Sequence, residues 1–404
     1  MIMKVMKWLG ASVLVSTLMI PANVTFAEEK KETDDFTERT YGFVAIDETL
    51  VAASSLFQYD SGLTFTYPDA VRGVYVTGHS AGGARFNELL KLVDSTDLNA
   101  MVIDIKDDFG DLTYVPEKES PLTPLDIGNP YMKNPREVLK VLEEKEIYPI
   151  ARVVVFKDSA LANAKPELSF VEGSSVWKNG RGESFVNPFM KEVWDYNVAV
   201  AIEAAKMGFQ EIQFDYVRFP EGFENRSDTL KYGKGDYETI EEDDVQKRVH
   251  AVTDFVAYAR EQLKPYGVKV SVDIFGYAAT LPEAPGIGQN FGKISSNVDV
   301  ISSMIYPSHW TSYFGIVKPD LEPYRLVQEY AKAENATLAK LEKAPISRPW
   351  LQDFTASYLG SGNYKKYGKA EVEAQIKALN EAGINEYLLW NAGNRYSPGV
   401  DYTP

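Results

Sequence analysis

From residue 72 onward, short strand-like runs alternate with stretches whose apolar residues recur at helical spacing. Residues 72–77 predict a first strand, and Phe86, Leu89, Leu90 and Val93 then form one stripe of a helix. Residues 100–106 predict the second strand, with a helix around Val138, Leu139 and Leu142 after it. The third covers 148–156, then a long loop and a helix near 190–207. A fourth lies in Glu211-Ile212-Gln213-Phe214-Asp215-Tyr216-Val217-Arg218-Phe219-Pro220, and its helix opens at the acidic run 241–244. Acids at a helix start complement the macrodipole. Strands five to eight are expected at 268–275, 298–306, 348–354 and 384–391, with helices at 324–341 and 370–382. Gly383 marks the end of the last helix, as a C-terminal cap.

Eight strands alternating with helices give the count of a closed (β/α)8 barrel, an α/β fold in one domain over residues 69–404. Residues 41–68 carry two weaker strand-like pieces and read as an N-terminal extension packed on the barrel. Ahead of it, residues 28–38 are a charged leader, and 1–27 have the form of an export signal. Lys4 and Lys7 precede an apolar run, and Thr25-Phe26-Ala27 resembles a peptidase site. That run is short for a membrane span and no later stretch resembles one, so a secreted or envelope-associated chain without a span after signal removal is expected. With no cysteine, the exported fold would rest on its core alone.

The net charge of −16 argues against nucleic acid and anionic lipid as partners, whereas a neutral or cationic sugar polymer is compatible with it. No Walker-type or dinucleotide glycine loop is present, and no cofactor or metal is expected. The acidic run 107–111 does not fit an EF-hand and reads as a turn.

The parity of the strands carries the chemistry. Asp104 alternates with Val102 and Lys106 on one face of strand two, Asp215 with Gln213 on strand four, and Asp273 with Ser271 on strand five. Strand seven adds Asp353, though both its faces are mixed and its parity stays open. Burying several carboxylates in a barrel mouth is costly unless they are paired. A site that keeps one carboxylate ionised and another protonated has use for them. Two such groups flanking a glycosidic bond suffice for its hydrolysis. Asp215 is the expected nucleophile, with Arg218 or Arg152 as its countercharge, and Asp273 the expected acid/base. Asp104 is open between catalysis and orienting Lys106. Arg152, Tyr306, His309, Trp350, Trp390 and Asn391 are candidate substrate contacts at the same end, Trp390 as a stacking floor or a core residue.

One motif points elsewhere. Gly78-His79-Ser80-Ala81-Gly82 fits the G-x-S-x-G nucleophile elbow, but it follows the first strand, and its histidine would have to be His250 or His309. Ser80 as an N-cap is the competing reading.

Several segments together resemble a family of secreted bacterial proteins labelled glycoside hydrolases, in the TIM-barrel glycosidase clan. They are Gly73-Val74-Tyr75-Val76-Thr77-Gly78, Val102-Ile103-Asp104-Ile105-Lys106-Asp107-Asp108 and the Phe214–Pro220 run, then Asp273-Ile274-Phe275-Gly276, Ile305-Tyr306-Pro307-Ser308-His309 and Pro349-Trp350-Leu351-Gln352-Asp353-Phe354. The resemblance implies the barrel and a polysaccharide or oligosaccharide substrate. More distantly, acids on strands four, five and seven look like the alpha-amylase arrangement, which implies Asp215 as nucleophile, Asp273 as acid/base and Asp353 as stabiliser. That type has Glu on strand five and its arginine before the strand-four acid, unlike this chain. The expectation is a glycoside hydrolase using two carboxylates, with a non-catalytic carbohydrate-binding barrel and a Ser80 esterase as alternatives.

Overall fold

Eight parallel strands curl until the last meets the first. In chain order they are β1 (Arg72–Val76), β2 (Ala100–Lys106), β3 (Tyr148–Val154), β4 (Glu211–Asp215), β5 (Lys269–Phe275), β6 (Val300–Met304), β7 (Trp350–Gln352) and β8 (Tyr387–Trp390). Each pairs with its sequence neighbour. The ring closes where Arg72 of β1 meets Tyr387 of β8 and Met304 of β6 meets Trp350 of β7. Ahead of β7, Ile346–Ser347 also pairs with β6, so the seventh position is filled in two pieces around Arg348-Pro349. This computed structural model describes residues 58–403. The export signal expected at 1–27, the charged leader at 28–38 and the extension up to residue 57 lie outside them.

A helix returns the chain after each of the first seven strands: α1 (Arg85–Asp94), α2 (Pro135–Glu144), α3 (Lys191–Met207), α4 (Asp244–Leu263), α5 (Phe291–Ser295), α6 (Pro323–Leu338) and α7 (Lys369–Glu381), with short helical turns at Gly78–Ala81 and Ser159–Ala164 in the loops. The acidic run before α4 works as a cap, since Asp243 Oδ1 accepts from Val245 N at 2.9 Å and Gln246 N at 2.8 Å. Gly383 takes φ +80° just past α7, the left-handed turn that a residue without a Cβ enters at no steric cost. The short α5 was not legible in the hydrophobic pattern.

Alternation along each strand sorts the side chains. Ile212 and Phe214 of β4 face the helices in the large apolar layer, and Val74, Val76, Met101 and Ile103 do the same on β1 and β2. Tyr75, Val102, Ile150, Trp350 and Leu388 form a smaller cluster inside the barrel. Residues 58–68 contain no strand, and the rest of the 41–68 stretch, where two strand-like pieces are expected, lies outside the described residues. Residues 58–68 pack beneath the barrel, where Arg136 Nη2 donates to Ser61 O and Tyr67 Oη donates to Glu386.

Candidate active site

The inner face of β4 carries Glu211, Gln213 and Asp215 in succession, and all three are buried. Gln213 spans to Ser302 of β6, its Nε2 donating at 3.1 Å, and so floors the space below Asp215. Above that floor Arg152 of β3 reaches sideways. Its Nε and Nη2 both donate to Asp215 Oδ2, at 2.9 and 2.7 Å, while Nη1 donates to Asp104 Oδ1 at 2.8 Å. Asp215 Oδ1 accepts from the N–H of Tyr216 at 2.6 Å. Arg152, then, supplies the countercharge; Arg218 turns away to Phe219 O and Glu221 and lies 4.6 Å above the Phe275 ring. Tyr216, next to Asp215, holds φ +53°, a costly conformation for a side-chain-bearing residue that surrounding contacts must enforce. Lys157 Nζ provides one, donating to Tyr216 Oη at 3.1 Å.

β5 places Asp273 beside this group. Gln213 pairs with Ser271 and Phe214 with Val272, so continuing the register sets Asp215 opposite Asp273 on the adjacent strand. Neighbouring strands run about 4.8 Å apart. Burial, and then the charge of Asp215, push the Asp273 carboxyl well above the ordinary range, outweighing Trp350 Nε1, which donates to its Oδ1 at 2.8 Å. Asp104 is raised too. Burial lifts it to about 7 against the pull of Arg152, and Tyr75 Oη donates to its Oδ2 at 2.5 Å. Tyr306 is buried inside the barrel beside the pair, within reach of the charges of Asp273 and Asp215. Trp390 is half-buried and stacks on Tyr75 at 4.0 Å, lining the lumen rather than the outer core.

Besides Arg218, three candidates sit elsewhere. Lys106 does not share the face of Asp104. The ladder to β3 shifts between Asp104 and Lys106, and that bulge turns Lys106 out under α3. There its ammonium meets Asp158 at 2.6 Å and Asn197 Oδ1 at 2.9 Å, fully buried. Asp353 has outward parity beside Leu351. It accepts from Ser397 N at 2.9 Å and Ser397 Oγ at 2.6 Å, and the groups acting on its carboxyl include neither Asp215 nor Asp273. Asn391 spends its amide on the Asp353 and Arg395 carbonyls, closing the loop after β8. His309 is exposed at the rim, its ring 5.2 Å from Tyr306.

Tyr75, Asp108 and Lys157 complete the mouth and were not singled out from the sequence. Tyr75 had a signal, since it alternates with Gly73 on β1. The run 107–111 is a turn as expected, Asp107 Oδ1 accepting from the N–H groups of Phe109, Gly110 and Asp111. It also carries Asp108 to Arg152 Nη2 at 3.2 Å and Lys157 Nζ at 3.1 Å. Those two cations hold the Asp108 carboxyl below its usual range, outweighing the cost of its partial burial.

The G-x-S-x-G run has a packing explanation. A Cβ on Gly78 would come within 2.4 Å of Thr113, and one on Gly82 within 1.8 Å of Tyr131 O. The cap of this short turn is Thr77, whose Oγ1 accepts from Ser80 N at 3.1 Å, so Ser80 is not the N-cap. His250 pairs with Glu242 and His309 with Ser308, and neither reaches Ser80.

No curated protein matches this chain. A hypothetical protein from Ruminiclostridium thermocellum ATCC 27405 is 32% identical over 50% of this chain and 96% of its own, with a TM-score of 0.42. The glycoside hydrolase domain of PgaB (BpsB) from Bordetella bronchiseptica superposes with a TM-score of 0.57 over 81% of this chain and 95% of that domain; at 15% identity it speaks to the barrel alone. The family described as "Putative glycosyl hydrolase domain" matches residues 73–396, from the start of β1 to beyond β8. The chain belongs to that glycosyl hydrolase-type family.

Proposed function

We propose that this protein hydrolyses a glycosidic bond in a polysaccharide by a retaining mechanism, with Asp215 as nucleophile and Asp273 as acid/base. The observation carrying this is a carboxyl pushed well above its normal range directly across one strand gap from a carboxylate doubly bonded to an arginine. Two carboxylates about 5–5.5 Å apart suit attack by one and protonation by the other, and facing positions on neighbouring strands favour that short spacing. In the first step Asp215 forms a bond to the anomeric carbon while the proton of Asp273 passes to the departing oxygen. In the second, Asp273 takes a proton from water, whose oxygen displaces Asp215 from the sugar. Arg152 holds Asp215 aimed, and Asp104 fixes the far side of that guanidinium. Tyr306 and Trp390 offer a hydroxyl and a ring to the sugar held between them. The export signal read in residues 1–27 favours a substrate outside the cell or in its envelope.

The test is turnover on a polysaccharide panel, with the product anomer followed by proton NMR. Asp215→Asn is expected to lose about 10⁴-fold in kcat while keeping its melting temperature near that of the parent. Ser80→Ala is expected to stay within about twofold, as a half-exposed residue outside the site. Full turnover in Asp215→Asn, or an inverted product from the parent, overturns the proposal.

A further inference from the structure

A chain of aromatic rings leads out of the barrel past β6 and β7. Outward from Trp390 the chain passes to Tyr306, at 6.4 Å; from Tyr306 it is 5.2 Å to His309 and 6.0 Å to Phe354. Beyond these, Tyr358 is 67% exposed and yet tethered, its hydroxyl donating to Ser308 Oγ at 3.2 Å. The Ser308 hydroxyl also meets His309 Nδ1 at 3.3 Å, and its N–H donates to buried Gln352 at 3.0 Å. Rings left in water and held by hydrogen bonds form a surface already ordered for a ligand, so binding there costs little further ordering. The facing rim, from β2 and β3, is ionic: Lys157 bridges Asp108 and Glu183.

Resting on the hydrolase reading above, we infer that the loops after β6 and β7 bind the leaving-group sugars, so that the polysaccharide runs out over His309, Phe354 and Tyr358. The acid/base fixes the direction. Asp273 stands on β5, next to β6, and the acid protonates the oxygen that departs. The sugar bonded to Asp215 therefore lies toward Arg152 and Trp390. The reducing-end side of the cut lies over the rings, whose faces are apolar and whose edges are wet, a combination that suits a sugar.

The test uses the full chain carrying Asp215→Asn, titrated calorimetrically with malto-, cello-, xylo- and chito-oligosaccharides of two and six sugars. At least one hexamer is expected to bind about tenfold more tightly than its disaccharide. Adding Tyr358→Ala is expected to cut that ratio about fivefold, and Phe354→Ala to cut it further. Tyr358 is mostly exposed, so its removal leaves folding intact, as a melting curve on the same sample verifies. No gain with length in any series, or a ratio that survives Tyr358→Ala, overturns the inference and leaves the hydrolase reading standing. Length-dependent binding by a parent chain that never cleaves the bound polymer overturns the hydrolase reading, and the leaving-group assignment falls with it.

Discussion

The barrel is pinned at both ends by a buried arginine between carboxylates, and the two ends differ in what they leave over. At the base Arg348 donates from Nε to Glu386 at 2.8 Å, from Nη1 to Glu211 at 2.7 Å and from Nη2 to Tyr67 Oη at 2.8 Å. Tyr67 returns its proton to Glu386 at 2.9 Å, and the cluster is shut beneath the extension. At the mouth Arg152 faces Asp104, Asp108 and Asp215, while Asp273 stands beside them without touching the guanidinium. Two of these acids are raised, and the Asp108 side chain is 43% exposed. An arginine bonded to every carboxylate around it, in a closed space, serves the fold. Surplus negative charge in an open one holds a proton ready, which is of use only to chemistry.

The widest separation between the two ends should come from Arg152. Arg152→Met removes the countercharge of Asp215 and is expected to lower kcat by roughly 10²–10³-fold. It should also destabilise the chain by about 3–5 kcal/mol, since buried carboxylates lose their partner. Adding Asp104→Asn should return part of the stability and none of the turnover. Recovery of turnover in that double variant would mean that Arg152 serves only the fold, and the distinction between the ends would dissolve.

Arg348→Met should destabilise by a similar 3–5 kcal/mol, lowering Tm by about 10 °C, with turnover per folded molecule within about twofold of the parent. Replacing Glu211 and Glu386 by Gln in that background should restore most of the loss. Thermal melts and active-site titration on one preparation separate the two quantities. A kcat that falls with Arg348 while Tm holds would place catalysis at the wrong end of the barrel.

The distinction between the ends was half legible in the sequence. Period-2 alternation placed Asp104, Arg152, Asp215 and Asp273 inside, because a strand pairing regularly on both sides has no freedom to put them elsewhere. The same argument failed for Lys106, two residues from Asp104, because a bulge leaves no mark on the hydrophobic pattern. For Asp353 both faces of the strand are polar, since Gln352 is spent on Asp320 and Ser308 inside while Ser397 waits outside. The base cluster escaped notice altogether. Tyr67, Glu211, Arg348 and Glu386 stand far apart in the chain, and only closure of the barrel brings them together.

The smallest expected effect is a pH dependence of stability that belongs to the mouth. An unfolded Asp titrates near 4, whereas burial carries Asp104 in the fold to about 7. Between those values the folded chain keeps a proton that the unfolded chain has released. The stability gained is complete below about pH 4 and drains away as the pH rises to 7. Asp273, also raised, adds a slope of the same sign. Asp104→Asn keeps the shape and the bond to Arg152 but removes one of the titrating groups. Denaturant unfolding at pH 5 and pH 8 should show the parent losing about 2 kcal/mol more across that interval than the variant does. Equal losses would mean that Asp104 is ionised throughout, held so by Arg152. The surplus at the mouth would then rest on Asp273 alone, and the alkaline limb of the activity profile would become the measure of it.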